Sequence, residues 1–290
     1  MKPKTRIIVD GLSFPESPRW HKGALWFSDI HAHKVYRLES GGKPEVIAKL
    51  YDRVSGLGFL PNGRLLVVSM LDRRLITVDG DGRQRWHADL APLSGIFIND
   101  MVVDAEGRAY VGSRNGGNAA SKSDSLILVQ SNGRALTLLS DMVSPNGAVI
   151  TPDGQELIIA ETAVGRLNRF SILPNGGIGN RQTMAELAGN HIDGICRDAE
   201  GGIWAGGGAG GLLKISKNGV LERVYEFPDR MVLACALGGR DGKTLFLATT
   251  DLSLLRNLTK IGYDRNRDKD VNSIGRIEAM TVDVPGVDVS

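Results

Sequence analysis

The chain has 290 residues, a formal net charge of +2 and 42% hydrophobic content, with 35 Lys and Arg against 33 Asp and Glu. The two signs are interspersed, which excludes the basic face of a nucleic-acid binder, and no apolar run is long enough for a membrane-spanning helix. With 37 glycines, the composition predicts a soluble chain that buries a large core and spends many residues on turns.

In chain order, residues 1–13 are expected to form a closing strand. The basic start Met1 to Arg6 is followed by only Ile7, Ile8 and Val9 before Asp10, too short an apolar run for a secretory signal, so a cytoplasmic protein is expected. Six glycines then follow a polar residue and precede an apolar run: Gly23, Gly63, Gly107, Gly154, Gly201 and Gly242, spaced 40, 44, 47, 47 and 41 residues apart. Each marks a strand, a tight turn and a strand, as in Met101-Val-Val-Asp-Ala-Glu-Gly-Arg-Ala-Tyr-Val111 and Val149-Ile-Thr-Pro-Asp-Gly-Gln-Glu-Leu-Ile-Ile159. Asp-Gly and Asn-Gly pairs suit two-residue hairpin turns, which need positive φ. Second hairpins follow at Lys34–Leu38 and Leu126–Gln130, and no helical apolar period exceeds two turns. Repeats of this length suit four-stranded blades, so the chain reads as all-β, a six-bladed β-propeller forming one domain over 1–290. Closure by residues 1–13 would remove exposed sheet edges, and 284–290 reads as a tail. Cys196 and Cys235 fall in the first strands of units five and six, on neighbouring blades, and read as buried, reduced thiols.

The repeat also aligns chemistry. Asn99, Asn146 and Asp193 stand eight residues before their turn glycines, and Glu16 stands seven before Gly23, whose turn is one residue tighter. Ser55 and Ala234 hold that place in units two and six. Equivalent positions on the inner strands of a propeller converge, so this register predicts a central metal site. Two carboxylates and two amide oxygens suit one hard divalent cation, Ca²⁺ first, with Zn²⁺, Mn²⁺ and Mg²⁺ as alternatives. The competing explanation is repeated turn chemistry, since Asn and Asp form turns readily; Glu16 is the residue that it explains worst. The histidines show no ligand spacing apart from the loop pair His31 and His33. There is no Gly-x-Ser-x-Gly nucleophile elbow, and Gly206–Gly211 lacks the Lys and helix of a phosphate loop.

The motifs Phe14-Pro-Glu-Ser-Pro-Arg-Trp20, Asn99-Asp-Met-Val-Val-Asp104, Ser144-Pro-Asn-Gly-Ala-Val149, Ile192-Asp-Gly-Ile-Cys-Arg-Asp198 and Leu237-Gly-Gly-Arg-Asp-Gly242 resemble the regucalcin (senescence marker protein 30) and gluconolactonase family. The resemblance spans nearly the whole chain. It implies a six-bladed propeller with one divalent metal held by Glu16, Asn146 and Asp193, with Asn99 contacting metal or substrate. It also implies lactonase activity, in some members with organophosphate hydrolysis. Asp193 is then the expected general base. A metal-bound carboxylate is a weakened base, so Asp100 is held in reserve, with strand capping as its competing role.

Loops between second and third strands are expected around the same mouth, among them 113–124 and 250–274, each a lid or a surface excursion. Arg114 and Asn115 are the polar groups expected there. Sugar-acid lactonases of this kind have Arg two places before the first Asn, where this chain has Phe97. An apolar wall at Phe97 points to a less polar lactone or ester, unless Phe97 faces the blade interior and Arg114 supplies the donor. The expected partner is therefore a small-molecule lactone or ester, with no nucleic acid or membrane, on a monomer or weak homo-oligomer. A noncatalytic binding propeller and a strictosidine-synthase-like enzyme are the alternatives.

Overall fold

The computed structural model describes residues 2–115, 124–208, 210–253, 262–271 and 274–287. The strands are, in order, β1 (Arg6–Leu12), β2 (Pro15–His21), β3 (Ala24–Asp29), β4 (Lys34–Glu39), β5 (Glu45–Lys49), β6 (Val54–Phe59), β7 (Leu65–Ser69) and β8 (Arg74–Val78). There follow β9 (Gln84–Asp89), β10 (Phe97–Val103), β11 (Ala109–Arg114), β12 (Asp124–Val129), β13 (Ala135–Met142), β14 (Pro145–Ile150), β15 (Glu156–Glu161) and β16 (Arg166–Ser171). The last are β17 (Gln182–Glu186), β18 (Ile195–Arg197), β19 (Ile203–Gly206), β20 (Leu212–Ile215), β21 (Leu221–Tyr225), β22 (Arg230–Gly238), β23 (Thr244–Asp251) and β24 (Gly275–Thr281). They form six four-stranded sheets, five of them simple meanders from β2–β5 through β18–β21, the blades of a six-bladed β-propeller. The sixth runs β22–β23–β24 and is completed by β1, antiparallel to β24.

All six repeat glycines adopt positive φ, between 70° and 90°. Their turns differ from the two-residue reading, however. Only Lys22-Gly23 fits it: both residues have positive φ, 48° and 76°, between the paired His21 and Ala24. At Gly63, Gly107 and Gly201 the loop has three residues. The glycine N–H bonds the carbonyl three residues back, and the flanking pair closes one residue further on, as in Gly63 to Leu60 and Leu60 to Arg64. This is a type I turn followed by a left-handed bulge residue, which needs only one glycine and lets Asn or Asp cap the turn. Asp104 does so through Oδ1, accepting from Glu106 and Arg108 N–H.

The chain divides into two compact units, Met1–Val54 with Asp193–Ser290, and Ser55–Ile192. In the second unit, one core lies between the third and fourth sheets, where Tyr110, Leu126 and Leu128 meet Ile150, Leu157, Ile159 and Phe170. In the first, Leu25, Phe27 and Leu38 pack against Phe246, Ala248 and Ile277, and Trp20 stacks on Phe246 at 5.6 Å. Each buried Leu, Ile or Phe contributes roughly 1.5–3 kcal/mol relative to exposure. Inner strands of neighbouring sheets approach closely at glycines: a Cβ on Gly56 would lie 2.7 Å from the Met101 nitrogen, and one on Gly194 2.3 Å from the Ala234 Cβ.

One expectation about the sixth unit changes. Residues 284–290 do not start as a tail: Pro285 carbonyl accepts from Ala199, Gly286 N–H bonds Gly242, and Gly286 bridges Asp198. Residues 288–290 lie outside the described residues. Cys196 and Cys235 are free thiols with sulfurs 3.5 Å apart, and burial pushes the Cys196 thiol well up, which suits the reduced state.

Candidate functional site

The site positions sit on irregular strands. In four of the sheets the pairing of first and second strands slips at or beside the position that the repeat aligns: between Glu16 and Arg19, Ile98 and Met101, Pro145 and Ala148, and Val232 and Ala234. A bulge there breaks the two-residue alternation and turns a side chain that would otherwise point into the neighbouring blade. Ser17 and Ser144 take positive φ, 47° and 54°, one residue after Glu16 and two before Asn146. Such backbone is uncommon for non-glycine residues and clusters where surrounding structure holds a side chain in place.

In the first unit, Glu16 is buried, and its Oε2 accepts the Ser17 N–H at 2.8 Å. Asp193 lies just ahead of β18, partly exposed; its N–H bonds Gly206, and Gly194 N–H bonds Leu233 of the neighbouring sheet. In the second unit, Ser55 Oγ donates to Asn99 Oδ1 at 3.3 Å, so two register-equivalent residues on adjacent inner strands do meet. Asn146 is buried and donates through Nδ2 to Thr162 Oγ1 at 3.1 Å, which leaves its carbonyl oxygen facing away from Thr162. The first unit holds the carboxylates Glu16 and Asp193, and the second the amides Asn99 and Asn146. Among the described residues, no group of three His, Cys, Asp or Glu is placed to hold a metal.

The other predicted residues are placed as follows. Asp100 is buried in the middle of β10, and its Oδ1 accepts the Met101 N–H at 2.8 Å, where the pairing with β11 slips. Phe97 is buried opposite Arg114, whose guanidinium lies over its ring at 5.7 Å and pairs with Asp124 at 3.4 Å. Phe97 therefore presents no open apolar wall; Arg114 covers it. Asn115 N–H bonds Asp124 Oδ1, and residues 116–123 of the expected loop lie outside the described residues.

Some residues escaped the sequence reading. The loop pair His31 and His33, joined to nothing in the sequence, converges on Asp268: His31 Nδ1 at 2.6 Å, His33 Nε2 at 2.8 Å, and Arg53 Nη2 at 2.7 Å. Arg53 also donates to the Gly262 and Asp264 carbonyls. Burial alone would push the Asp268 carboxyl up; the hydrogen bonds from His31, His33 and Arg53 outweigh it and hold the group well below the usual carboxylate range. Of the expected loop 250–274, the part 262–271 is therefore clamped to the first sheet, while 254–261 and 272–273 lie outside the described residues. Asp29, Asp124 and Glu161 are buried carboxylates that hold backbone N–H groups just ahead of site strands.

The family description SMP-30/Gluconolactonase/LRE-like region matches residues 14–251. A 6-deoxy-6-sulfogluconolactonase of Pseudomonas putida is 26% identical over 247 residues, 81% of this chain and 82% of the relative. Regucalcin of Danio rerio is 22% identical over 264 residues, 86% of each chain. Among solved structures, a calcium-binding regucalcin from Agrobacterium tumefaciens str. C58 superposes with a TM-score of 0.80 at 23% identity, covering 99% of this chain and 96% of its own.

Proposed function

Because the chain belongs to the SMP-30/gluconolactonase/LRE-like family, we propose that it is a lactonase, a hydrolase that opens a cyclic ester by attack of water. The lactonase and regucalcin relatives support the activity, and the Ser55–Asn99 contact is the observation that supports the shared register. On this reading Glu16, Asn146 and Asp193 hold one divalent cation, Ca²⁺ first, with Asn99 contacting metal or substrate. When bound, the cation supplies Lewis acidity toward the lactone carbonyl and the charge that develops on its oxygen. Asp193 takes the proton from the attacking water. Asp100 is the weaker candidate for that role because its carboxylate already accepts the Met101 N–H.

Arg114 shapes substrate choice. Since its guanidinium lies over Phe97, the group offered at this place is a hydrogen-bond donor, which favours a substrate bearing hydroxyl or acidic groups over the less polar lactone suggested by Phe97 alone. The protein acts as one domain, a monomer or weak homo-oligomer in the cytoplasm; among the described residues no helix is long and apolar enough to cross a membrane.

The test is a panel of lactones and esters offered to metal-loaded and chelated protein. Metal-dependent hydrolysis that vanishes on chelation, and in Asp193→Ala with the fold retained, is expected. Absence of metal-dependent turnover across the panel overturns the catalytic reading. Retained metal binding without turnover would favour a noncatalytic propeller, and amine condensation without metal a strictosidine-synthase-like enzyme.

A further inference from the structure

Two buried carboxylates outside the ligand set occupy the same place in different sheets. Asp29 closes β3 and pairs with Pro15; Glu161 closes β15 and pairs with Pro145. Each acid stands opposite the proline that directly precedes a site residue, Glu16 or Asn146. Proline has no N–H to donate to the ladder, so the strand loses a bond at that step. The acid side chains bind the chain immediately upstream instead. Asp29 accepts from Ser13 and Phe14 N–H at 2.9 and 2.8 Å, and Glu161 Oε1 accepts from Val143 N–H at 2.6 Å. Both acids are 1% exposed. In the third sheet no proline precedes Asn99, and the residue opposite Ile98 is Ser113, not an acid.

The correspondence is hidden in the sequence. Asp29 lies 13 residues after Glu16 and Glu161 15 after Asn146, because the β14–β15 turn is two residues longer than Lys22-Gly23. Only register brings the pairs into line. Thr162, next to Glu161, then takes the Asn146 amide nitrogen and so orients its oxygen.

We propose that Asp29 and Glu161 are positioning residues that fix Glu16 and Asn146 as oxygen ligands of the cation, one acid for each proline–ligand step. The proposal rests on the reading that these two residues bind metal. Asp29 accepts two backbone N–H groups, and Glu161 accepts Val143 N–H on one oxygen and the Asn168 side-chain amide on the other, whereas Asn or Gln turns an NH₂ toward one of these donors. The chain ahead of the proline then shifts, and the ligand shifts with it. Partners of this kind typically hold about 10–100-fold in metal affinity.

Ca²⁺ titration of the full chain by calorimetry, with Mn²⁺ as a second probe, tests this in the wild type, Asp29→Asn, Glu161→Gln and Glu16→Gln. Asp198→Asn is the control: Asp198 is a fully buried carboxylate that accepts Glu200 and Gly202 N–H in the β18–β19 turn. Asp29→Asn and Glu161→Gln should each weaken binding about 10–100-fold, while Asp198→Asn lowers the melting temperature yet binds as the wild type does. Asp29→Asn combined with Glu16→Gln should bind no worse than Glu16→Gln alone. Asp29→Glu and Glu161→Asp, which keep the carboxylate, should recover part of the affinity. Glu161→Gln repeats the test in the other unit if Asp29→Asn fails to fold. Wild-type affinity in both variants, or an equal loss in Asp198→Asn, overturns the proposal. Unchanged binding in Glu16→Gln overturns instead the metal reading beneath it.

Discussion

Asp268→Ala removes the acceptor at the centre of the His31, His33 and Arg53 cluster. Breaking a buried ion pair by deleting one partner costs about 3–5 kcal/mol when the stranded charge stays dry. One feature reduces that figure here. Arg53 keeps bonds to the Gly262 and Asp264 carbonyls, so its charge is not left without acceptors. The expected loss is therefore about 2–4 kcal/mol, or a fall in melting temperature of roughly 4–16 °C at about 2–4 °C per kcal/mol. Thermal unfolding gives the total, and limited proteolysis with hydrogen exchange shows whether 262–271 opens first. The pH dependence has a definite sign. A carboxyl held below its unfolded value contributes stability that is present above the ordinary carboxylate range and lost only as pH falls through its depressed value. The gap between wild type and variant should hold from neutral pH down to about pH 4. A loss below about 1 kcal/mol, with no new cleavage in 262–271, refutes the claim that the cluster secures this segment.

Further outcomes follow from single contacts. Burial pushes the Tyr110 phenol up to about 12, and its hydroxyl donates to the Gly176 carbonyl at 3.0 Å, so ultraviolet titration should find one tyrosine that ionises near that value. The stability it contributes is present below pH ~10 and lost as pH rises through the folded value. Gly56→Ala places a Cβ 2.7 Å from the Met101 nitrogen and should cost about 1–3 kcal/mol, read from urea unfolding; an unchanged midpoint would show that the two inner strands part easily.

The repeat was legible because a left-handed turn residue recurs once per blade, and glycine meets that demand at all six positions. The register of Ser55 and Asn99 was legible for the same reason: a ruler anchored on those turns aligns inner strands. Turn type was not, since Asn-Gly and Asp-Gly suit both the two-residue turn and the longer turn with a bulge. Bulges at Glu16, Asn99 and Asn146 left no pattern of their own, because one slipped pairing changes which way a side chain points without changing its neighbours in sequence. Asp268 lay beyond reach for a plainer reason: its partners stand 215 to 237 residues away, and no local period couples them. Phe97 was visible as a departure, but its burial beneath Arg114 came from a cross-strand pair.

The sixth sheet joins β1 to β24, strands about 270 residues apart: Arg6 faces Ala279 and Ile7 faces Glu278. During synthesis β1 leaves the ribosome long before its partner exists, with a row of unsatisfied amides and an Ile7 that stays half-exposed even when folded. Such distant pairing slows folding and lengthens the interval in which a bare strand can recruit the same strand of a neighbouring nascent chain. Yield in a cell should therefore depend on translation rate and chaperone supply more steeply than the finished protein's resistance to heat would suggest.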